Sequence, residues 1–336
     1  MNQLRLARTT NLQRRRLAAL GVSMLVAGAL PVAGIAATTP WPQRPLRLLV
    51  GFPAGSSPDL VARLIAEPLG KRLGQAVVVE NRPGASGNIA ADLLAKSTDG
   101  HTFGLMINGN MTVAKLLNPR TPYDPHKDLQ PVGLLVQAPL ILVGLPSAPS
   151  NFADWLVQAR MQGDKLSYGS PGVGTVAHLA MELLKSSSQL SAVHVPYPGN
   201  PQVTQALLRG EIQAALLPPG IAMPQVRAGK LIALGVTSEG RSPLVSDLAS
   251  LASQGVKGFD FQVWNALAAP ASQPAAQSAQ VWAHVQEILR SPETRQALFN
   301  QGWQVAGLNA DALARRIQTD TQAMQAVIQR LGVRVE

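Results

Sequence analysis

One stretch sets the terms for the rest of the chain: Leu46-Arg47-Leu48-Leu49-Val50, then Gly51-Phe52-Pro53-Ala54-Gly55-Ser56-Ser57-Pro58-Asp59, then Leu60-Val61-Ala62-Arg63-Leu64-Ile65. The aliphatic run suits a strand buried on both faces, whereas Pro53, Gly55 and the two serines break it and leave backbone N–H groups unpaired. A helix starts at once. Ser56 or Ser57 can serve as its N-cap, Pro58 fits the first turn because its missing N–H would be unpaired there anyway, and Asp59 suits the positive end of the dipole. Helix ends of this kind hold anions, and the remaining chain must settle whether this one holds a ligand or only its own caps.

From Leu46 onward short aliphatic runs alternate with helical patterns, as in an α/β fold with largely parallel strands. Strands are expected at 46–50, 76–80, 102–107, 140–145, 166–169, 192–195, 212–217, 231–237 and 263–268. Helices are expected between them at 58–73, 88–96, 110–117, 151–161, 175–187, 200–208 and 220–228. After Ala269 only helices are expected, at 273–290, 292–301 and 309–331. Pro68 removes a hydrogen bond inside the first helix, which predicts a kink or an early end near Glu67. Four prolines between 118 and 131 predict a long connecting loop. The simplest packing joins 41–140 with 265–336 as one lobe and inserts 141–264 as a second, so that two crossings form a hinge.

The first residues stand apart. Arg5, Arg8 and Arg14-Arg15-Arg16 precede an uncharged apolar stretch from Leu17 to Ala37, the pattern of a secretory signal peptide over residues 1–36 with small residues at the cut. The alternative is a membrane anchor, against which Gly28, Pro31 and Gly34 interrupt the run. A lipoprotein anchor is excluded because the chain has no cysteine. Twin-arginine and general secretion both stay open. Those five arginines make up half of the formal charge of +10 and no acid offsets them, which leaves the mature chain near +5. After residue 40 no run of basic residues interleaves with aromatics, so nucleic acid is not an expected partner. A modest positive field favours a small anionic solute instead.

Four further loops follow strands and precede helices: Asn81 to Asn88, Asn108-Gly109-Asn110, Ser170 to Thr175, and Pro196 to Asn200. In an open α/β sheet such loops gather where ligands bind, although Gly, Pro, Asn and Ser also simply make turns and caps. Gly172-x-Gly174-x-x-Ala177 fits the dinucleotide fingerprint, but the acidic residue that should follow about 20 positions later is missing. The nucleophile elbow is absent, since Ser86 has Asn88 where a second glycine should stand. His178 and Glu182 lie one helical turn apart and lack the further ligands that a metal site needs. His178 reads as a packing or capping residue. No catalytic residue, metal site or cofactor is expected.

Several segments together resemble the Bug family of periplasmic solute-binding proteins, the receptors of tripartite tricarboxylate transporters. They are Trp41-Pro42 with Arg44 to Arg47, Phe52 to Gly55 with Asp59 to Arg63, Val79 to Gly84, Pro122 to Pro125, Tyr168 to Thr175 with His178-Leu179, His194 to Tyr197, and Ala228 to Leu231. The resemblance covers nearly the whole mature length. It implies a two-lobe, type II-like periplasmic binding protein fold, each lobe a mixed sheet flanked by helices, joined by a two-strand hinge and closing on a small organic acid. It also implies a periplasmic monomer without enzymatic activity that serves the membrane components of such a transporter.

In relatives, the loops here at Phe52 to Asp59 and Ser170 to Thr175 grip a ligand carboxylate through backbone N–H groups and ordered water. By that resemblance Phe52, Ala54, Gly55, Ser56, Asn108, Ser170, Gly174 and Thr175 are ligand-binding candidates, with Asp59 ordering the first loop and Trp264 lining the cleft from the returning strand. Three departures bear on the ligand. Ser56 stands where the family usually has a second glycine, Pro198 where it usually has lysine, and Leu216-Leu217-Pro218-Pro219 where a strand often ends in an acid. Loss of that acid removes a partner for a ligand ammonium, so a less polar mono- or dicarboxylate is expected rather than an amino acid. An exported enzyme using Ser56 or His178, and a sensor presenting its closed form to a signalling partner, remain open alternatives.

Overall fold

The computed structural model describes residues 41–332, so the expected signal peptide at 1–36 and the last four residues lie outside it. Its strands are β1 (Leu46–Val50), β2 (Val77–Asn81), β3 (Thr102–Ile107), β4 (Leu129–Pro139), β5 (Ile141–Gly144), β6 (Ser167–Ser170), β7 (Val193–Pro196), β8 (Ala214–Leu217), β9 (Ile232–Val236), β10 (Gln262–Pro270) and β11 (Gln304–Asn309). Its helices are α1 (Ser57–Leu73), α2 (Asn88–Ala95), α3 (Asn108–Thr112), α4 (Ala114–Leu117), α5 (Phe152–Gln162), α6 (Val176–Ser188), α7 (Asn200–Leu208), α8 (Pro219–Arg227), α9 (Ala275–Arg290), α10 (Pro292–Asn300) and α11 (Ala310–Leu331).

The strands form two mixed sheets. The first has the order β11-β4-β10-β3-β1-β2 and the second β7-β6-β8-β5-β9. In the first, β1 runs parallel to β2 and β3, while β10 returns antiparallel between β3 and β4. Both faces of that sheet are covered: Leu48, Val50, Phe103 and Trp282 pack on one side, and Leu49, Met106, Tyr123 and Trp264 on the other. The aliphatic runs form continuous strands for that reason, because a strand buried on both faces needs no polar alternation.

The chain passes between the sheets at Leu140 and again between Val236 and Gln262. Thr237 ties the two crossings together. Its hydroxyl accepts from the Leu140 amide at 2.8 Å and donates to the Phe261 carbonyl at 2.6 Å, and its own amide donates to the Leu140 carbonyl at 2.9 Å. Helix α11 also spans both sheets: Leu313 and Ile317 pack against the first, whereas Met324, Val327 and Leu331 pack against the core of the second.

Three local expectations are corrected. A strand does recur after Ala269: β11 pairs antiparallel with β4, with a bulge between Val305 and Leu308. Its residues are half-buried or exposed, so an edge position and not an apolar run creates it. Strand β4 begins at Leu129, inside the stretch expected to be loop. Pro131 is tolerated there because the register with β10 shifts beside its partner Ala268. Helix α1 does not end near Glu67 but continues through Pro68 to Leu73, where Leu69 is buried and Gly74 closes the helix at φ 68°.

Candidate functional site

The first corner is the turn from β1 into α1, held from below by a buried carboxylate. Asp59 accepts from the Gly55 amide at 2.9 Å, from Asn81 Nδ2 at 2.9 Å and from Arg63 Nε at 3.0 Å. Asn81 Nδ2 also donates to the Phe52 carbonyl, so one side chain from the end of β2 fixes both ends of the loop. Burial alone would raise the Asp59 pKa, but these hydrogen bonds and the Arg63 charge together hold it below the usual carboxylate range. Asp59 therefore orders the loop and is spent in doing so.

The second corner is the turn from β6 into α6, and neutral imidazoles hold it. Ser170 Oγ shares a 2.7 Å hydrogen bond with His194 Nε2 and accepts from the Gly172 amide at 3.2 Å. Thr175 caps α6 and donates to the Gly172 carbonyl at 2.8 Å, while the Gly174 amide donates to His178 Nδ1 at 3.3 Å. The two imidazoles lie 4.2 Å apart between ring centroids, and Tyr168 stacks on the far side of His194. Burial pushes His178 down to about 4 and His194 down to about 3, the latter helped by repulsion from its neighbour. Both are neutral at pH 7. Glu182 is occupied by Tyr168 and Lys185, and among the described residues no cluster of three or more His, Asp or Glu could hold a metal.

Between the corners lies a cavity of about 50 Å³. Phe52, Ser56 and Ser57 line it from the first corner, Thr175, Val176 and Ala177 from the second, and Asn108, Trp264 and Asn265 across its base. The amides of Ser57, Val176 and Ala177 have no acceptor among the described residues, being first-turn groups of α1 and α6. A larger cavity of about 490 Å³ adjoins it through Ile107, Pro171 and Thr175, walled by Ser86, Leu117, Val173 and Tyr197. No Lys, Arg, His, Asp or Glu lines either one.

Two hydrogen bonds each tie one corner to a loop or helix of the opposite sheet. Ser86, at φ 56°, donates its hydroxyl to the Val173 carbonyl at 2.7 Å, and Asn200 Nδ2 reaches Ser57 Oγ at 3.4 Å. Gly172 makes the first approach possible: at φ 125° it carries no side chain, and a Cβ there would sit 2.3 Å from Ser86 Oγ.

The structure brings Phe52, Ser56, Asn108, Thr175 and Trp264 to the small cavity, and Gly174 with Thr175 to the larger one. Ala54, Gly55, Asp59 and Ser170 line neither. Ala54 and Gly55 face solvent, and the Gly55 amide is committed to Asp59. Ser170 is wholly buried beneath its loop. The Trp264 indole N–H is committed to Asp320 on α11 at 2.7 Å, which leaves only its apolar surface for the cavity. Sequence reasoning missed Asn200 as a lining residue, although its loop was singled out, and missed Asn265 altogether. The signal for Asn265 was present: an amide inside the apolar run Val263-Trp264-Asn265-Ala266-Leu267 needs a partner or a purpose.

Comparison with known proteins places this geometry among others. The model of the family described as tripartite tricarboxylate transporter family receptor matches residues 61–333. The structure of the periplasmic binding protein BugD superposes with a TM-score of 0.84 at 28% identity, covering 88% of this chain and all of that one. The R. palustris protein Rpa4515 with adipate gives 0.84 at 30% identity, covering 87% and 99%. MatC from Rhodopseudomonas palustris with bound malate gives 0.81 at 29%, covering 86% and 100%.

Proposed function

The chain belongs to the tripartite tricarboxylate transporter receptor family, and on that premise we propose that it captures a small organic carboxylate between its two corners and delivers it to the membrane components of such a transporter. The family is one of binding proteins and not of enzymes. In keeping with that, Ser56 has no His, Lys, Asp or Glu beside it on the cavity wall to act as a base, and Ser170, the partner of His194, is wholly buried and lines neither cavity.

The observation that carries the reading is the pair of helix N-termini, each with uncommitted amides, that face one uncharged cavity from opposite sheets. A carboxylate there meets N–H dipoles instead of a counter-ion. Each charge-assisted hydrogen bond stabilises it by roughly 1.5 to 3 kcal/mol, and three or four of them, less the cost of closing, amount to about micromolar affinity. Phe52, Ser56, Asn108, Thr175, Gly174 and Trp264 contact the ligand in this reading, while Ala54, Gly55, Asp59 and Ser170 shape the loops. Residues 41–140 with 265–336 act as one lobe and 141–264 as the other. The protein works as a periplasmic monomer after loss of residues 1–36. Adipate and malate, both dicarboxylates bound by relatives, support a small organic carboxylate here. Calorimetry against a panel of short mono- and dicarboxylates, with small-angle scattering on the same samples, tests it. Binding near micromolar with a smaller radius of gyration is expected; silence across the whole panel in both measurements overturns it.

A further inference from the structure

Nine buried side-chain polar atoms lack a hydrogen-bond partner among the described residues, and three of them belong to residues that line the small cavity: Ser56 Oγ, Asn200 Oδ1 and Asn265 Nδ2. The residues are 1%, 7% and 1% exposed, so water outside the cavity does not serve them. An unpaired buried polar atom costs about 1 to 3 kcal/mol, and three around one small space call for an occupant. Each comes from a different element. Ser56 is the N-cap of α1, but its hydroxyl makes none of the usual capping bonds. Asn200 opens α7, and its only side-chain partner is Ser57 at 3.4 Å. Whichever way that amide is turned, one of its two polar atoms stays free. Asn265 projects from β10 in the middle of the first sheet.

Given a carboxylate held between the corners, on which the following depends, we propose that Ser56, Asn200 and Asn265 form a polar subsite that reads a hydroxyl on that carboxylate. The ligand is a compact hydroxy-monocarboxylate. An amide oxygen needs a donor and an amide N–H₂ needs an acceptor; a hydroxyl supplies both, a carboxylate only accepts, and an ammonium only donates. A second carboxylate would enter a wall with no Lys, Arg or His to balance it. The volume of about 50 Å³ favours a short chain.

Calorimetry on the mature wild-type chain uses matched pairs: 2-hydroxypropanoate against propanoate, 3-hydroxybutanoate against butanoate, and malate against succinate. The hydroxylated monocarboxylate is expected to bind at least about tenfold more tightly than its deoxy partner, because leaving buried amides unpaired is heavily penalised. Asn200→Leu and Asn265→Leu, each checked for folding by thermal denaturation, are expected to shrink that ratio toward one while the deoxy acid keeps its affinity. Pairs that bind within about twofold of each other in the wild type overturn the subsite and leave the carboxylate receptor standing. So does malate binding more than about tenfold above both hydroxy-monocarboxylates, since it shows that a second charge is welcome. Failure of every acid to bind overturns the receptor reading itself. The wild-type ratios decide the matter even if a variant does not fold.

Discussion

The two corners hold similar loops by opposite electrostatic means. Beneath the first lies a carboxylate, Asp59, kept ionised by Arg63, Asn81 and the Gly55 amide. Beneath the second lies a pair of imidazoles, His178 and His194, kept neutral by burial. A strand-loop-helix turn can thus be pinned either by a charge that is fully hydrogen-bonded or by rings that burial keeps neutral at pH 7. In both cases the pinned groups are consumed below the loop, so that the first-turn amides above it stay free. The difference lies in what each arrangement does when protons arrive.

Removal of the charged support should have the largest effect. Asp59→Ala deletes an acceptor that serves three donors at once, and chemical denaturation should report a loss of about 3 kcal/mol. Asn in its place should recover part of this by accepting one bond. If Asp59→Ala costs less than about 0.5 kcal/mol, the first corner is held by its turn alone and the contrast fails.

Acidification separates the corners next. The two histidines titrate lower in the folded chain than their unfolded value of 6.5, so the unfolded state binds more protons once the pH falls below about 6.5. Stability should then decline down to about pH 4 for His178 and about 3 for His194, by a few kcal/mol in all. The Asp59 contribution is present above its unfolded value of 3.8 and is lost only as the pH falls through its lower folded value. Thermal melts of the wild type and of His194→Gln from pH 7 to 4.5 check this. The variant should melt lower at pH 7 but show a shallower slope, and equal slopes would remove the histidines from the account.

The smallest effect should come from the bond that ties the second corner to the loop after β2. Ser86→Ala removes the hydroxyl that donates to the Val173 carbonyl and touches neither support. Ligand affinity should fall roughly fivefold, worth about 1 kcal/mol, with the melting temperature of the free protein nearly unchanged. A drop in melting temperature without an affinity change would show that Ser86 serves its own loop and not closure.

Much of this fold was legible in the residues. The aliphatic runs at 46–50 and 102–107 coincide with β1 and β3, because strands buried on both faces need only continuous apolar sequence. The start of α1 was legible for a similarly local reason, since proline and acid act within one turn, although Ser56 at the N-cap position makes no capping bond. β11 was not legible, because it has little apolar pattern and exists by lying against β4. Of the kink or early end expected near Glu67, the early end did not occur, because burial of the following turn outweighed one lost hydrogen bond.

The residues by themselves determined the two turns, the dipoles at their helix ends and the absence of Lys and Arg from both loops, since each of these is set by neighbours along the chain. Only the tertiary structure decided that the turns face each other, that Gly172 meets Ser86, and that Asn200 comes within reach of Ser57 from 143 positions away. It also decided which polar groups were spent and which were left waiting. Ser170 and the Trp264 indole found partners, whereas Ser56, Asn200 and Asn265 did not. Hydrogen-bond satisfaction is settled by packing in three dimensions, and no spacing along the chain encodes it.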